Sequence, residues 1–167
     1  MSGDITRELN LGLDKMKIRQ YKTSDKDDVI DLHKLALEKT GAWIESGKWD
    51  EDLQNIEEVY LKNGEFLVLE DEGKIIAMGA IRKISDDVVE LKRMRVHPKF
   101  QRKGIGQKML ISLENRAREL GFKKIVLNTT EKQKQAVALY LKNGYRETKK
   151  EILDSIKTRL IYFEKEI

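Results

Sequence analysis

The chain has 167 residues, 40% of them hydrophobic and 37% charged, with one proline and a net charge of +4 from 33 basic and 29 acidic side chains. That length suits a single domain that buries a core without cross-links, and the composition is that of a globular domain rather than a disordered tail. With no cysteine, disulfides, thiolate catalysis and cysteine-based metal sites are excluded; the two histidines, His33 and His97, are too few and too far apart to suggest a zinc site. No apolar run approaches the ~18 residues of a membrane span, and the start lacks a secretory apolar core, so the cytoplasm is the expected compartment.

Residues 1–15 carry no pattern of a regular element and read as an extension to a domain over 16–167. "KIRQY" predicts a first strand. Ser24 or Asp25 then caps a helix whose apolar positions Val29, Leu32, Leu35 and Ala36 recur at helical spacing. Two glycines break it within "TGAWIESGKW", and a second helix is expected over about 51–62. "EFLVLE" and "KIIAMGAIRKI" flank the turn "DEG" as a hairpin, and "SDD" leads into a third strand, "VVELKRMRV". The period then changes. Ile105, Met109, Leu110, Leu113, Ala117 and Leu120 line one side of a helix stopped by Gly121. "KKIVLNT" reads as a short buried strand. Thr130 to Gln133 has the pattern of a capping box for a helix carrying Val137, Ala138, Tyr140 and Leu141, and "YRETKK" and "TRLIYFEKE" close the chain as strands.

That order predicts an α/β (α+β) fold: a mixed, mostly antiparallel central sheet of about six to seven strands with helices on both faces. The strand–helix–strand unit from Val88 to Thr129 must be parallel and right-handed. Where an antiparallel run meets a parallel partner the two strands can splay, and ligands favour such places.

The stretch "VHPKFQRKGIGQKML" sits at that junction. From Lys92 to Lys103 there are six basic residues and no acid. A helix start carries several unpaired main-chain N–H groups and a partial positive charge, and glycines let a ligand approach them. Gly104 and Gly106, with Arg102, Lys103 and Lys108 adding charge, therefore suit a diphosphate. The alternative is a flexible turn on a solvated basic face. A Walker loop needs a tail that is missing here, and a dinucleotide fingerprint needs a third glycine where this chain has Met109 and Leu110.

"RMRVHPKFQRKGIGQKML" resembles the acyl-CoA signature of the GNAT superfamily of N-acetyltransferases, [QR]-x-x-G-x-[GA] after a strand ending in V-x-P. Downstream, "AVALYLKNGY" resembles the family's A-x-x-L-Y-x-x-x-G-[FY] helix. The likeness covers about 16–166 and implies the acyl-CoA N-acyltransferase fold, with a splayed parallel pair and acetyl-CoA as cosubstrate. It implies a cofactor site made of Met94, Arg95, Val96, Arg102, Lys103, Gly104, Ile105, Gly106, Gln107, Gln133 and Tyr140, with no metal. Gln133 stands where an asparagine often contacts pantetheine.

Acetyl transfer to an amine needs the amine deprotonated, the carbonyl oxygen stabilised and the thiolate protonated. A free amine with a pKa near ~10 is almost wholly protonated at neutral pH, so a carboxylate helps. Glu90 falls where histone acetyltransferases of the superfamily carry a general-base glutamate; it also reads as a surface glutamate. The resemblance assigns the oxyanion donor to the main chain of Met94, and the thiolate's proton donor to Tyr140, which otherwise reads as a core tyrosine. Asn128 departs from the glutamate of ribosomal-protein N-terminal acetyltransferases. Trp43 and Trp49 lie in a segment that often borders the acceptor, and read equally as pocket lining or core anchors.

The leading expectation is an acetyl-CoA-dependent N-acetyltransferase acting on a primary amine, more in keeping with a small molecule than a protein. Two other readings are a basic nucleic-acid-binding domain, disfavoured because no helix carries an exposed basic stripe, and a CoA-binding sensor without catalysis. Neither nucleic acid nor membrane is an expected partner; exposed edge strands leave room for a homodimer.

Overall fold

The computed structural model describes residues 15–40, 50–155 and 157–167. Seven strands form one sheet in the order β1-β2-β3-β4-β5-β7-β6. They are β1 (Met16–Gln20), β2 (Glu65–Asp71), β3 (Lys74–Lys83), β4 (Val88–Val96), β5 (Lys124–Thr130), β6 (Arg146–Leu153) and β7 (Thr158–Glu166). The helices are α1 (Lys26–Thr40), the short α2 (Glu51–Gln54), α3 (Ile105–Glu119) and α4 (Lys134–Lys142). Every neighbouring pair of strands is antiparallel except β4 and β5.

Each face of the sheet buries its own core. Ile105, Met109, Leu110, Leu113 and Ala117 of α3 pack with Val89, Leu91, Ile125, Leu127 and Phe163 on one side, joined there by Tyr140 and Tyr145. Val29 and Leu32 of α1 pack with Leu53, Ile56, Tyr60, Phe66, Val68 and Met78 on the other. The mixed sheet with helices on both faces is the architecture read from the order of elements.

Local chemistry explains where elements start and stop. Glu72 and Gly73, both with φ above zero, make a two-residue hairpin turn between the paired residues Asp71 and Lys74. Gly121 ends α3 at φ +89. Several expectations are corrected. The helix expected over 51–62 is broken: α2 stops at Gln54, where the Asn55 side chain bonds back to the Glu51 carbonyl, and a wide turn over Glu57–Leu61 follows. The capping box at Thr130 does not form. Thr130 ends β5 with its hydroxyl unpartnered, and the Gln133 carbonyl takes the first helical bond of α4 from Val137. Asp25 precedes α1 in a short turn, where it accepts the Lys22 N–H at 2.8 Å and is clamped by Arg19. Leu120 and Leu141 are exposed rather than on the buried faces.

Two irregularities shape the middle of the sheet. β4 and β5 pair only over Val88–Glu90 and Lys124–Val126; beyond that their C-terminal halves part. On the other side of β4 the register with β3 slips, so Arg93 and Met94 together stand opposite Gly79. A Cβ on Gly79 would lie 2.6 Å from the Met94 sulfur and 2.7 Å from Leu113 Cδ1, so a larger residue opposite the bulge would have to displace these side chains. Arg93 adopts φ +61 to make it, a left-handed conformation that costs a non-glycine residue roughly 1–2 kcal/mol.

Candidate functional site

A cleft of about 690 Å³ opens where β4 leaves β5, bounded by the end of β4, the glycine turn, the start of α3, and α4. Ten of the eleven expected cofactor residues line it: Met94, Arg95, Val96, Arg102, Gly104, Ile105, Gly106, Gln107, Gln133 and Tyr140. Lys103 is outside it, with its ammonium 5.3 Å from the centre of the Phe100 ring. Among the described residues six basic side chains border the cleft (Lys39, Arg95, Arg102, Lys132, Lys134 and Lys142) and no acidic one does. Lys39 and Thr40, at the end of α1, carried no signal in the sequence that would assign them here.

The glycine turn opens α3. Gly104 has φ +78 and its carbonyl takes the first bond of α3, from the Lys108 N–H at 3.1 Å. Among the described residues the main-chain N–H groups of 104 to 107 have no acceptor, so they are free for a ligand at a helix start that favours negative charge. Gly106 is telling. An added Cβ would meet only Leu139 at 3.5 Å and Val96 at 3.7 Å, ordinary contacts, so the fold itself does not require glycine there. The Gln107 side chain is committed elsewhere, exchanging two hydrogen bonds with Asn143 at 2.6 and 2.7 Å that tie the start of α3 to the end of α4.

Tyr140 is buried against Tyr145 and Phe163, with ring centres 5.6 and 6.1 Å away, yet its hydroxyl has no hydrogen-bond partner among the described residues. Burial pushes its pKa up to about 12, with the nearby Arg95 charge pulling the other way. The phenol is therefore protonated at neutral pH.

Behind the cleft, on the α1–α2 side of β4, lies a chain of charges. The Arg95 guanidinium donates to His33 Nδ1 at 3.3 Å, to the Met94 carbonyl at 2.7 Å and to Gln133 Oε1 at 3.5 Å. His33 is buried, and burial, then the charges of Arg95 and Arg93, lower its pKa to about 4. It is thus neutral, with Nδ1 accepting and Nε2–H donating to Asp50 at 3.0 Å. Arg93 closes the chain on Asp50 at 3.1 Å and on both oxygens of Asp52, which also accepts from Tyr60. Burial alone raises the Asp52 carboxyl; Arg93 more than offsets this and holds it below the ordinary range. These contacts hold the strained Arg93 backbone, and with it the bulge that sets the Met94 peptide.

The expected acceptor-side residues are not gathered in the cleft. Glu90 lies on the paired part of β4, half-buried, with Oε1 accepting from Arg82 at 2.6 Å. Asn128 is exposed on β5, on the same sheet face as Glu90 through the pairing of Glu90 with Val126. Trp43 and Trp49 lie outside the described residues. His97 accepts the Lys99 N–H at 3.1 Å and caps the turn Pro98–Phe100. Among the described residues no group of His, Asp and Glu could hold a metal ion, and no helix is long and apolar enough to cross a membrane.

A splayed β4–β5 pair, a bulge at its edge and a helix start with open N–H groups make up the middle of the molecule. Residues 28–145 match the acetyltransferase (GNAT) family, and the chain belongs to it. It is 34% identical over 100 residues to the uncharacterized N-acetyltransferase YjgM of Escherichia coli K12, a match covering 58% of this chain and 60% of that protein. It is 32% identical over 102 residues to an amino-acid acetyltransferase of Pseudomonas syringae pv. tomato, covering 60% of this chain but only 23% of the relative. The chain therefore spans less than two thirds of the length of these relatives. Among solved structures, an acetyltransferase of the GNAT family from Staphylococcus aureus Mu50 superimposes with a TM-score of 0.79 at 26% identity, covering 90% of this chain and 98% of the other. YncA, described as a putative acetyltransferase from Salmonella typhimurium with its cofactor acetyl-CoA, shares the fold with a TM-score of 0.74 at 21% identity, over 91% of this chain and 94% of the other.

Proposed function

We propose that the protein, through a catalytic domain over 16–167, transfers the acetyl group of acetyl-CoA to a primary amine of a small molecule, by direct attack while both are bound. The observation that carries this reading is the row of N–H groups at 104–107, without acceptors among the described residues, opening onto a cleft that six described cations and no described anion border. A pyrophosphate suits that row, and the basic rim suits the remaining phosphate charge of coenzyme A. YncA, the fold neighbour described with acetyl-CoA, is consistent with this choice.

In the reaction the amine nitrogen attacks the thioester carbonyl, the C–N bond forms and the C–S bond breaks. The main-chain N–H of Met94, at the bulge, is the donor for the oxygen that gains charge; such a donor is worth ~3 kcal/mol where water is excluded. Glu90 takes the amine proton, directly or through water, with Oε2, the oxygen that Arg82 leaves free. Tyr140 faces the departing sulfur as a protonated phenol. With its pKa near 12, above that of an ordinary thiol at ~8.5, it donates a hydrogen bond to the nascent thiolate rather than surrendering its proton outright. Arg95, beside it, adds positive charge.

The test combines binding and turnover. Acetyl-CoA at 100 times its Kd stabilises by ~2.7 kcal/mol, which for a domain of this size raises Tm by roughly 5–10 °C. A melting curve unmoved by saturating acetyl-CoA would remove the basis of the proposal. Release of CoA thiol over a broad panel of amines then separates a transferase from a domain that only binds the cofactor.

A further inference from the structure

The wedge between β4 and β5 has a second feature, on the face away from the cofactor cleft. Side chains two apart on a strand share a face, so Glu90 and Lys92 point the same way, and Val126 and Asn128 join them because Val126 pairs with Glu90. In a continuous ladder Lys92 would neighbour Asn128. Here the strands have parted, so Lys92 and Asn128 stand on the two banks of the wedge with Glu90 at its apex.

Lys92 is half-buried and, unlike the cations around it, has no ion pair or hydrogen bond among the described residues. Its acidic neighbours each hold an arginine. Glu90 Oε1 holds Arg82, and both oxygens of Asp52 hold Arg93. Among the described residues the ion pairs beside it, Arg82 with Glu90 and Arg93 with Asp50 and Asp52, form without Lys92, and His33 is neutral. Burial lowers the Lys92 pKa against the pull of Glu90 and Asp52, as for an ammonium held partly out of water. A partly desolvated ammonium with no bonded partner is destabilising unless a ligand supplies one.

We propose that Lys92 binds the carboxylate of the acceptor, so that the substrate class is an amino acid or a similar small amine bearing a carboxylate. This rests on the transferase reading above. The ammonium end lies toward Glu90 and its free oxygen, and the carboxylate lies on Lys92. The two residues' Cα atoms are about 6.7 Å apart along the strand, a span that a small amino acid bridges with a hydrogen bond at each end. Asn128 faces the same wedge as a neutral polar contact.

The experiment compares amino acids with their carboxamides as acceptors, measuring CoA release at saturating acetyl-CoA. Wild-type protein is expected to prefer the acid over its amide at least tenfold in kcat/KM for the best side chain. In Lys92→Met that preference falls to about one, through KM rather than kcat, while Lys92→Arg restores part of it. Wild-type preference for the amides overturns the assignment without reference to any variant. So does a Lys92→Met protein that keeps the wild-type preference. An equal loss of kcat on acids and amides overturns it too, because it moves Lys92 from anchoring to proton transfer. Acetyl-CoA affinity, measured calorimetrically, is expected to be unchanged in both variants. Binding of acetyl-CoA with no thiol release from any acid or amide is a distinct failure, that of the transferase reading, and it takes the acceptor assignment with it.

Discussion

Strand β4 separates two polar environments built on opposite rules. Toward the cofactor cleft, donors are left open: the N–H groups of 104 to 107 and the Tyr140 hydroxyl have no acceptor among the described residues, and the bordering charges share one sign. Toward α1 and α2, nearly every donor is satisfied, in the chain from Gln133 through Arg95, His33, Asp50 and Arg93 to Asp52 and Tyr60. Unmet polar groups are costly in a folded protein, and they persist where a ligand completes them. Satisfied groups fix geometry. The difference separates residues that hold the strained bulge in place from residues that meet substrate.

The comparison breaks most visibly at Arg93. Its removal leaves Asp50 and Asp52 without their main counter-charge while the backbone strain of the bulge remains. Arg93→Met is expected to lower stability by ~3–5 kcal/mol, about 10 °C or more in Tm, measured by thermal or urea unfolding. Adding Asp52→Asn should recover part of the loss, because it removes one orphaned charge. A single variant within 1 kcal/mol of wild type would show that the network does not hold the bulge.

The same network predicts a pH dependence. Folded His33 has a pKa of about 4 against an ordinary value near 6.5. Between those values the unfolded chain binds a proton that the folded protein refuses, so stability is full above about pH 6.5 and falls as the pH drops toward 4. The loss is on the order of 3 kcal/mol by pH 4, and its upper part, above about pH 5.5, lies clear of the ordinary carboxylate range. His33→Gln should flatten this part of the curve of unfolding free energy against pH. If wild type and variant run parallel from pH 6.5 to 4.5, His33 is not the group that resists protonation.

The cleft was far easier to read in the sequence than the network. Gly104, Gly106 and Tyr140 are local signals, each marked by a motif within one turn and one helix, and ten of eleven expected residues meet in one place. The network joins residues 17, 41 and 62 positions apart, and no periodicity connects His33 or Asp52 with β4. The basic run from Lys92 to Lys103 is the sharpest case. As a sequence it reads as one stripe, but the bulge and the glycine turn divide it. Arg93 and Arg95 enter the network, Lys92 lies beside it without joining it, Arg102 borders the cleft and Lys103 rests near Phe100. The broken helix after Gln54 was also hidden, because Leu53, Ile56 and Tyr60 keep helical spacing while the Asn55 side chain competes for the backbone.

Tyr140 sharpens the comparison from the cleft side, because there stability and function should part company. The hydroxyl has no partner among the described residues, so its removal costs the fold little, and the ring still packs on Tyr145 and Phe163. Tyr140→Phe is therefore expected to keep Tm within about 2 °C of wild type, where removing a satisfied buried hydroxyl costs ~1–3 kcal/mol. Turnover should fall ~10²-fold or more, equivalent to ~2.7 kcal/mol of barrier, with acetyl-CoA affinity little changed. Rapid-quench measurement of the transfer step distinguishes this loss from slow product release. A variant that melts early but turns over normally would put Tyr140 with the scaffold, and would mean that its hydroxyl answers to the fold rather than to the departing sulfur.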